Sequence, residues 1–325
     1  MKLAILDDYQ NLALGCADWT PVRARGVDVV VFDRHLGLGD DAVATLAPFD
    51  AVVMMRERQP MPASFTDRLP NLKFVVLTGA RASSLDSAAL TVRKIPVSTT
   101  SGGPSGGSTS ELAFGLLLDT ARSMSRGDRL VRAGGWHGGL PMGVSLAGKR
   151  LGVIGLGNLG SRMAKFANAF EMDVVAWSPN LTAEKAAAKG AKFVAREELL
   201  ATSDYISLHV VLNAKSRGML GTPEFAAMKP GAVLINTSRG PLVDQDALLA
   251  ALRSGKLGGA GLDVYDIEPL PAKHPLTAFD NVVLTPHLGY VIDTTFKAFY
   301  AGAVENVLAW LDGKPIRVMH PEALA

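Results

Sequence analysis

The chain alternates short apolar runs with longer segments of helical periodicity. Residues 3–6, 27–32, 51–55, 74–77 and 96–98 are short runs, many of them rich in β-branched residues, bounded by Asp, Gly or Pro. Runs of this kind suit parallel strands buried on both faces. Alanine-rich helical segments such as 40–46 and 84–90 fall between them. This β-α-β-α order predicts a small doubly wound domain over roughly the first hundred residues. The alternation resumes at Lys149, with strands expected at 151–154, 173–177, 205–209, 232–236, 259–264 and 282–284. A further helical pattern spans 294–311, and residues 314–318 are expected to return to the first domain.

Between the two blocks stands Ser-Gly-Gly-Pro-Ser-Gly-Gly at residues 101–107. It reads as a hinge linker rather than a phosphate cradle, because no strand leads directly into a glycine fingerprint there. Ser108 and Glu111 form an S-x-x-E capping box, which predicts a helix from Thr109 to about Ser125. Leu112, Leu116, Leu117 and Met124 fall on one side of that helix.

Composition narrows the function classes. A length of 325 residues suits two domains, each with its own core. The net charge of +2, from 33 basic and 31 acidic residues, gives no reason to expect nucleic acid or an anionic membrane as partner. Cys16 is the single cysteine, so neither a disulfide framework nor a cysteine metal cluster is expected. The six histidines are scattered without metal-ligand spacing, and no metal is expected. The N-terminal apolar run meets Asp7 and Asp8 too soon for a signal peptide, and no apolar stretch is long enough to span a bilayer. These features are read as those of a cytoplasmic protein.

Candidate chemistry begins at Gly155-Leu156-Gly157-Asn158-Leu159-Gly160, a G-x-G-x-x-G pattern. It follows an apolar strand and opens a helix near Asn158, the context that gives the pattern meaning. Gly155 permits the tight turn, Gly157 lets backbone approach a pyrophosphate, and Gly160 lets helix pack on strand. The helix N-terminus offers unpaired N–H groups and the positive end of its dipole. An acidic residue for the ribose hydroxyls is expected at the end of the next strand, but Ser178 stands there. Without the carboxylate a 2′-phosphate is not repelled, though no arginine stands immediately beside Ser178. The reading is NAD(P), leaning slightly to NADP.

Three later segments place polar groups at strand ends, where open α/β sheets bind ligands. The first, ending Asn236-Thr237-Ser238-Arg239-Gly240, offers a guanidinium able to bind a carboxylate in a bidentate fork. The second runs Gly261-Leu262-Asp263-Val264-Tyr265-Asp266-Ile267-Glu268-Pro269, and the third is Thr285-Pro286-His287-Leu288-Gly289-Tyr290. Taken singly, each is equally a surface arginine, a solvated acidic loop or a structural histidine. Their ordered occurrence downstream of the fingerprint changes the balance.

With these motifs the sequence resembles the D-isomer-specific 2-hydroxyacid dehydrogenase family. The resemblance is strongest over residues 148–289. It takes in Leu208-His209 and Phe225-Ala226-Ala227-Met228-Lys229-Pro230-Gly231 as well as the segments above, and holds in outline over 1–147. It implies a Rossmann dinucleotide-binding domain over 101–290. It also implies a discontinuous flavodoxin-like substrate domain from 1–100 and 291–325, with a catalytic cleft between the two.

The resemblance further implies that Arg239 binds the substrate carboxylate, that His287 exchanges a proton with the substrate oxygen, and that Glu268 orients the imidazole and stabilises its protonated form. A carboxylate at Glu268 argues against a formate dehydrogenase, where an amide is expected. Val210, Thr237, Asp263 and Gly289 are implied on the cofactor side, Asp263 near the nicotinamide carboxamide. Gly79, Ala80 and Arg81 match the loop that cradles the substrate carboxylate, although Arg81 replaces a usual glycine. Trp136 and Tyr290 are candidates to shape the pocket or to pack in a core or interface. The implied partners are a 2-keto or 2-hydroxy acid, such as glyoxylate or hydroxypyruvate, and a second copy of the chain in a homodimer. The rivals are 3-phosphoglycerate oxidation on the same scaffold and an NAD(H)-sensing corepressor.

Overall fold

The computed structural model describes residues 1–103 and 107–324. The chain divides into two compact units, Met1–Ser105 with Ile292–Ala325, and Gly106–Val291. The 101–107 linker expected from the sequence lies partly outside the described residues, at 104–106.

Among the described residues the first unit carries a five-stranded sheet: β1 (Lys2–Ile5), β2 (Asp28–Val31), β3 (Ala51–Met54), β4 (Phe74–Leu77) and β5 (Val97–Thr99). The pairings are parallel in the order β2-β1-β3-β4-β5, the flavodoxin-like arrangement. Every residue of β3 and β4 is buried, which is why these strands read as unbroken apolar runs. The helix Asp293–Leu311 packs on this sheet and buries Phe296, Phe299, Tyr300 and Val307. Trp310, near its end, stacks on Phe74 with ring centroids 4.9 Å apart. The chain then returns along the sheet edge, where Thr99 N–H donates to Arg317 O (3.0 Å) and Met319 N–H to Val97 O (2.9 Å).

Among the described residues the second unit carries a seven-stranded sheet: β6 (Arg150–Ile154), β7 (Asp173–Trp177), β8 (Lys192–Phe193), β9 (Tyr205–Leu208), β10 (Ala232–Asn236), β11 (Leu257–Leu262) and β12 (Val282–Leu284). The order is β12-β11-β10-β9-β6-β7-β8. Strand order reverses between β6 and β9, so the carboxyl ends of these two strands flank the crevice where open α/β sheets take ligands. β8 is not anticipated by the sequence pattern; it is two exposed residues at the sheet edge, too short to show periodicity.

The helix after the linker departs from expectation at both ends. It runs Ser108–Arg122 with Gly107 as its cap, so Ser108 lies inside it and makes no capping bond. The Ser108 hydroxyl instead donates to Gly289 O at 2.8 Å. Ser123, at φ 51°, breaks the helix, and a second one follows at Met124–Arg132. Met124 therefore leaves the apolar face shared by Leu116 and Leu117 and stands exposed.

Candidate active site

The fingerprint glycines differ in what a side chain would meet. At Gly155 (φ +96°) a Cβ would lie 2.4 Å from His209 O, and at Gly160 it would lie 2.0 Å from Gly155 O. These two hold β6, the turn and the helix Asn158–Ala169 in close contact. A Cβ at Gly157 would meet nothing within 4 Å. Gly157 caps the helix, so the space before its first N–H groups is open. Asn158 and Leu159 form the first turn there. Clear space, the lack of a side-chain cap among the described residues and a positive dipole end fit a pyrophosphate.

Ser178 follows β7 and is half-buried. It lines an open groove of about 420 Å³ together with Gly155, Gly157, Lys185 and Lys189. Val210 follows β9, and its side chain lies where a Cβ on Gly155 would come within 2.8 Å. Thr237, next after β10, is buried, and its hydroxyl oxygen has no hydrogen-bond partner among the described residues.

The arginine loop is built on the buried Asn236. Its amide donates to Arg239 O (3.0 Å) and its carbonyl accepts from Ser238 N–H (3.0 Å). The Ser238 hydroxyl ties the loop to Leu208 O at 2.7 Å. Arg239 Nη1 donates to Ser238 O at 2.6 Å, which folds the guanidinium back over the loop's own backbone. Gly240 is pressed against the next loop: a Cβ there would lie 2.1 Å from the Tyr265 carbonyl carbon.

That next loop carries Glu268. Its Oε1 accepts from Tyr265 N–H at 2.9 Å, and its Oε2 lies 2.6 Å from His287 Nδ1. His287 takes up a left-handed backbone at φ 54°, uncommon for a residue with a side chain and typical of constrained functional loops. Its ring meets the Tyr290 ring edge-on at 5.5 Å. Behind it, Asp263 is fully buried and accepts from Thr285 Oγ1 (2.6 Å), Leu288 N–H (2.7 Å) and Gly289 N–H (2.9 Å). Burial pushes the Asp263 carboxyl up, against the lowering effect of those three hydrogen bonds and of His287. Gly289 O also accepts from Ser108 and Thr109, so the loop after His287 is held on both sides.

Arg239, Glu268 and His287 thus stand with Asp263 and Gly289 at the carboxyl ends of β10, β11 and β12 in the second unit. Gly79, Ala80 and Arg81 belong to the first unit, in the loop after β4. Gly79 is left-handed at φ +85°, and its N–H donates to Thr100 Oγ1 at 2.9 Å. A Cβ there would lie 2.6 Å from Arg56 Nη1, so a guanidinium lies across the glycine. Ala80 and Arg81 are exposed. Trp136 is 74% exposed, away from any core. Among the described residues no group of three or more His, Cys, Asp or Glu is arranged to hold a metal ion.

Sequence reasoning did not single out Asn236, Thr285, Lys185 or Lys189, nor assign Gly240 a role. Asn at the end of an apolar strand, directly before the polar loop, was the available signal for the first.

The family model for the D-isomer specific 2-hydroxyacid dehydrogenase NAD binding domain matches residues 114–289. The chain is 36% identical to the glyoxylate reductase of Aeropyrum pernix, over 80% of this chain and 82% of that one. It is 35% identical to the D-3-phosphoglycerate dehydrogenase of Archaeoglobus fulgidus over 91% of its own length, and spans 55% of that enzyme. The solved phosphoglycerate oxidoreductase of Vibrio cholerae superposes with a TM-score of 0.88 at 34% identity, covering 96% of this chain and 99% of that one. On this match of sequence, fold and loop architecture, the chain belongs to the D-isomer specific 2-hydroxyacid dehydrogenase family, oxidoreductases that transfer a hydride between a nicotinamide cofactor and a 2-keto or 2-hydroxy acid.

Proposed function

We propose that Arg239, Glu268 and His287 are the catalytic residues of this chain, acting on a small 2-keto acid such as glyoxylate or hydroxypyruvate and on the matching D-2-hydroxy acid. The observation that carries the proposal is the 2.6 Å contact between Glu268 Oε2 and His287 Nδ1. With Nδ1 turned to the carboxylate, Nε2 is the ring atom left to exchange a proton with substrate. Glu268 is itself held by the Tyr265 N–H, so it fixes the ring orientation and stabilises the imidazolium by its charge. Arg239 pairs with the substrate carboxylate and draws electron density from the adjoining carbonyl. Gly79, Ala80 and Arg81 supply the further carboxylate cradle.

Gly155, Gly157, Asn158, Leu159 and Gly160 hold the cofactor pyrophosphate, Ser178 faces the adenosine ribose, and Val210, Thr237, Asp263 and Gly289 line the nicotinamide end. When bound, the nicotinamide supplies or accepts the hydride. The buried Thr237 hydroxyl, without an acceptor among the described residues, is suited to a polar group of the cofactor. Ser178 in place of an acid favours NADP over NAD.

A homodimer is supported by the apolar side chains that residues 123–148 leave exposed, among them Val131, Trp136 and Met142, the last 94% exposed. Among the described residues no helix is long and apolar enough to cross a membrane. The single cysteine supports a cytoplasmic location. The test is a panel of glyoxylate, hydroxypyruvate, pyruvate and phenylpyruvate, followed by cofactor absorbance, with the configuration of the three chiral products read by chiral chromatography. Reduction to the D-hydroxy acid is expected; an L product overturns the proposal.

A further inference from the structure

We propose that this enzyme uses NADPH in preference to NADH, and that Lys185 and Lys189 are the residues that read its 2′-phosphate. The inference rests on the glycine turn being the cofactor site, and deepens that reading by naming the cations. The sequence alone supplies a reason not to reject a 2′-phosphate, Ser178, but no group to attract one. The structure supplies it: both lysines line the groove that opens between the glycine turn and the end of β7, with Gly155, Gly157, Ser178 and Asn180.

Lys189 Nζ donates to Leu156 O at 2.7 Å, which fixes an ammonium against the fingerprint turn itself. One such bond leaves two of its N–H donors for a ligand. Lys185 stands exposed on the same groove wall. Neither lysine forms an ion pair among the described residues, whereas Lys192 and Lys229 are tied to Asp173 and Asp204. The groove lining also contains no carboxylate. A phosphate monoester carries about −1.5 to −2 charge at neutral pH, which two lysines match as point charges. The 2′-hydroxyl of NADH would find no carboxylate acceptor at the Ser178 position and would gain little from an ammonium.

Binding of adenosine 2′,5′-bisphosphate and of 5′-AMP to the intact enzyme, measured by calorimetry, isolates the 2′-phosphate from turnover. The wild type is expected to bind the bisphosphate more tightly. Lys185→Ala and Lys189→Ala should each cut that preference roughly tenfold, and the double variant should erase it. Lys189→Arg should retain it. Because Lys189 also braces the fingerprint turn, Lys189→Ala is expected to weaken 5′-AMP as well; Lys185→Ala makes no such contact and reads the phosphate alone. Ser178→Asp should turn the preference toward 5′-AMP. Equal affinity of the wild type for the two nucleotides, or an unchanged preference in Lys185→Ala and the double variant, overturns the inference alone. Binding of neither nucleotide overturns the cofactor site and the inference with it.

Discussion

Gly240 and Tyr265 are in backbone contact so close that a methyl group on Gly240 would stand 2.1 Å from the Tyr265 carbonyl carbon. Gly240 follows Arg239, and the Tyr265 N–H holds Glu268. The spacing between the arginine loop and the glutamate loop is therefore fixed backbone to backbone, with no side chain free to move aside. Gly240→Ala must separate the two loops. It is expected to cost about 2–4 kcal/mol of stability and to lower kcat/KM more than tenfold, read by thermal unfolding and by steady-state kinetics. An alanine variant of wild-type stability and activity would show that the spacing does not matter.

Glu268→Gln separates orientation from charge. A glutamine at this position can still accept a hydrogen bond from His287, so the ring stays placed while the stabilisation of the imidazolium is lost. Reduction needs the protonated ring, so its kcat is expected to fall about 10- to 100-fold. Oxidation, which needs the neutral ring, should suffer less. Equal loss in both directions would argue for a merely structural glutamate.

Arg239→Lys keeps the charge but loses the planar fork. If the guanidinium binds the substrate carboxylate in two parallel bonds, kcat/KM should drop about 100-fold or more. Cofactor affinity should stay close to wild type, since the predicted loss falls on the acid. Fluorescence titration of the reduced cofactor alongside keto acid kinetics separates the two.

His209 sets a pH limit on stability. Its Nε2 pairs with Ser207 Oγ at 2.8 Å, while Nδ1 is buried with no partner among the described residues. Burial lowers the imidazole from its ordinary 6.5 to about 4. The unfolded chain therefore takes up the proton first as pH falls. The contribution is whole above about pH 6.5 and is lost progressively down to about pH 4. Between pH 7.5 and 5 the loss amounts to about 2 kcal/mol. Urea unfolding of the wild type and of His209→Gln at the two values should show the variant losing about that much less. Parallel losses would mean that the ring is not held neutral.

Much of this architecture was legible because buried parallel strands are short, apolar on both faces and bounded by turn residues. Ala51–Met54 and Phe74–Leu77 are examples. Lys192–Phe193 was not, because two residues at a sheet edge carry no pattern. The Ser108 capping box misled because its hydroxyl is used by Gly289, a partner far along the chain that local spacing cannot reveal. At the site, sequence order placed Arg239, Glu268 and His287 at successive strand ends. It did not reveal how they are held: the Asn236 amide under Arg239, or the three donors that converge on Asp263. Lys185 and Lys189 escaped notice for a related reason. They lie on the segment after β7, and only the folded chain brings them to the wall of the groove that begins at Gly155.

The role of His287 is tested by steady-state reduction of glyoxylate and hydroxypyruvate by the wild type and by His287→Ala, with cofactor binding followed in parallel by fluorescence. The wild type is expected to turn over. The variant is expected to lose about a thousandfold or more in kcat with cofactor affinity preserved, because the proton donor and not the cofactor site has been removed. A variant that keeps most of its kcat would contradict the assignment of His287 as the proton-transfer residue.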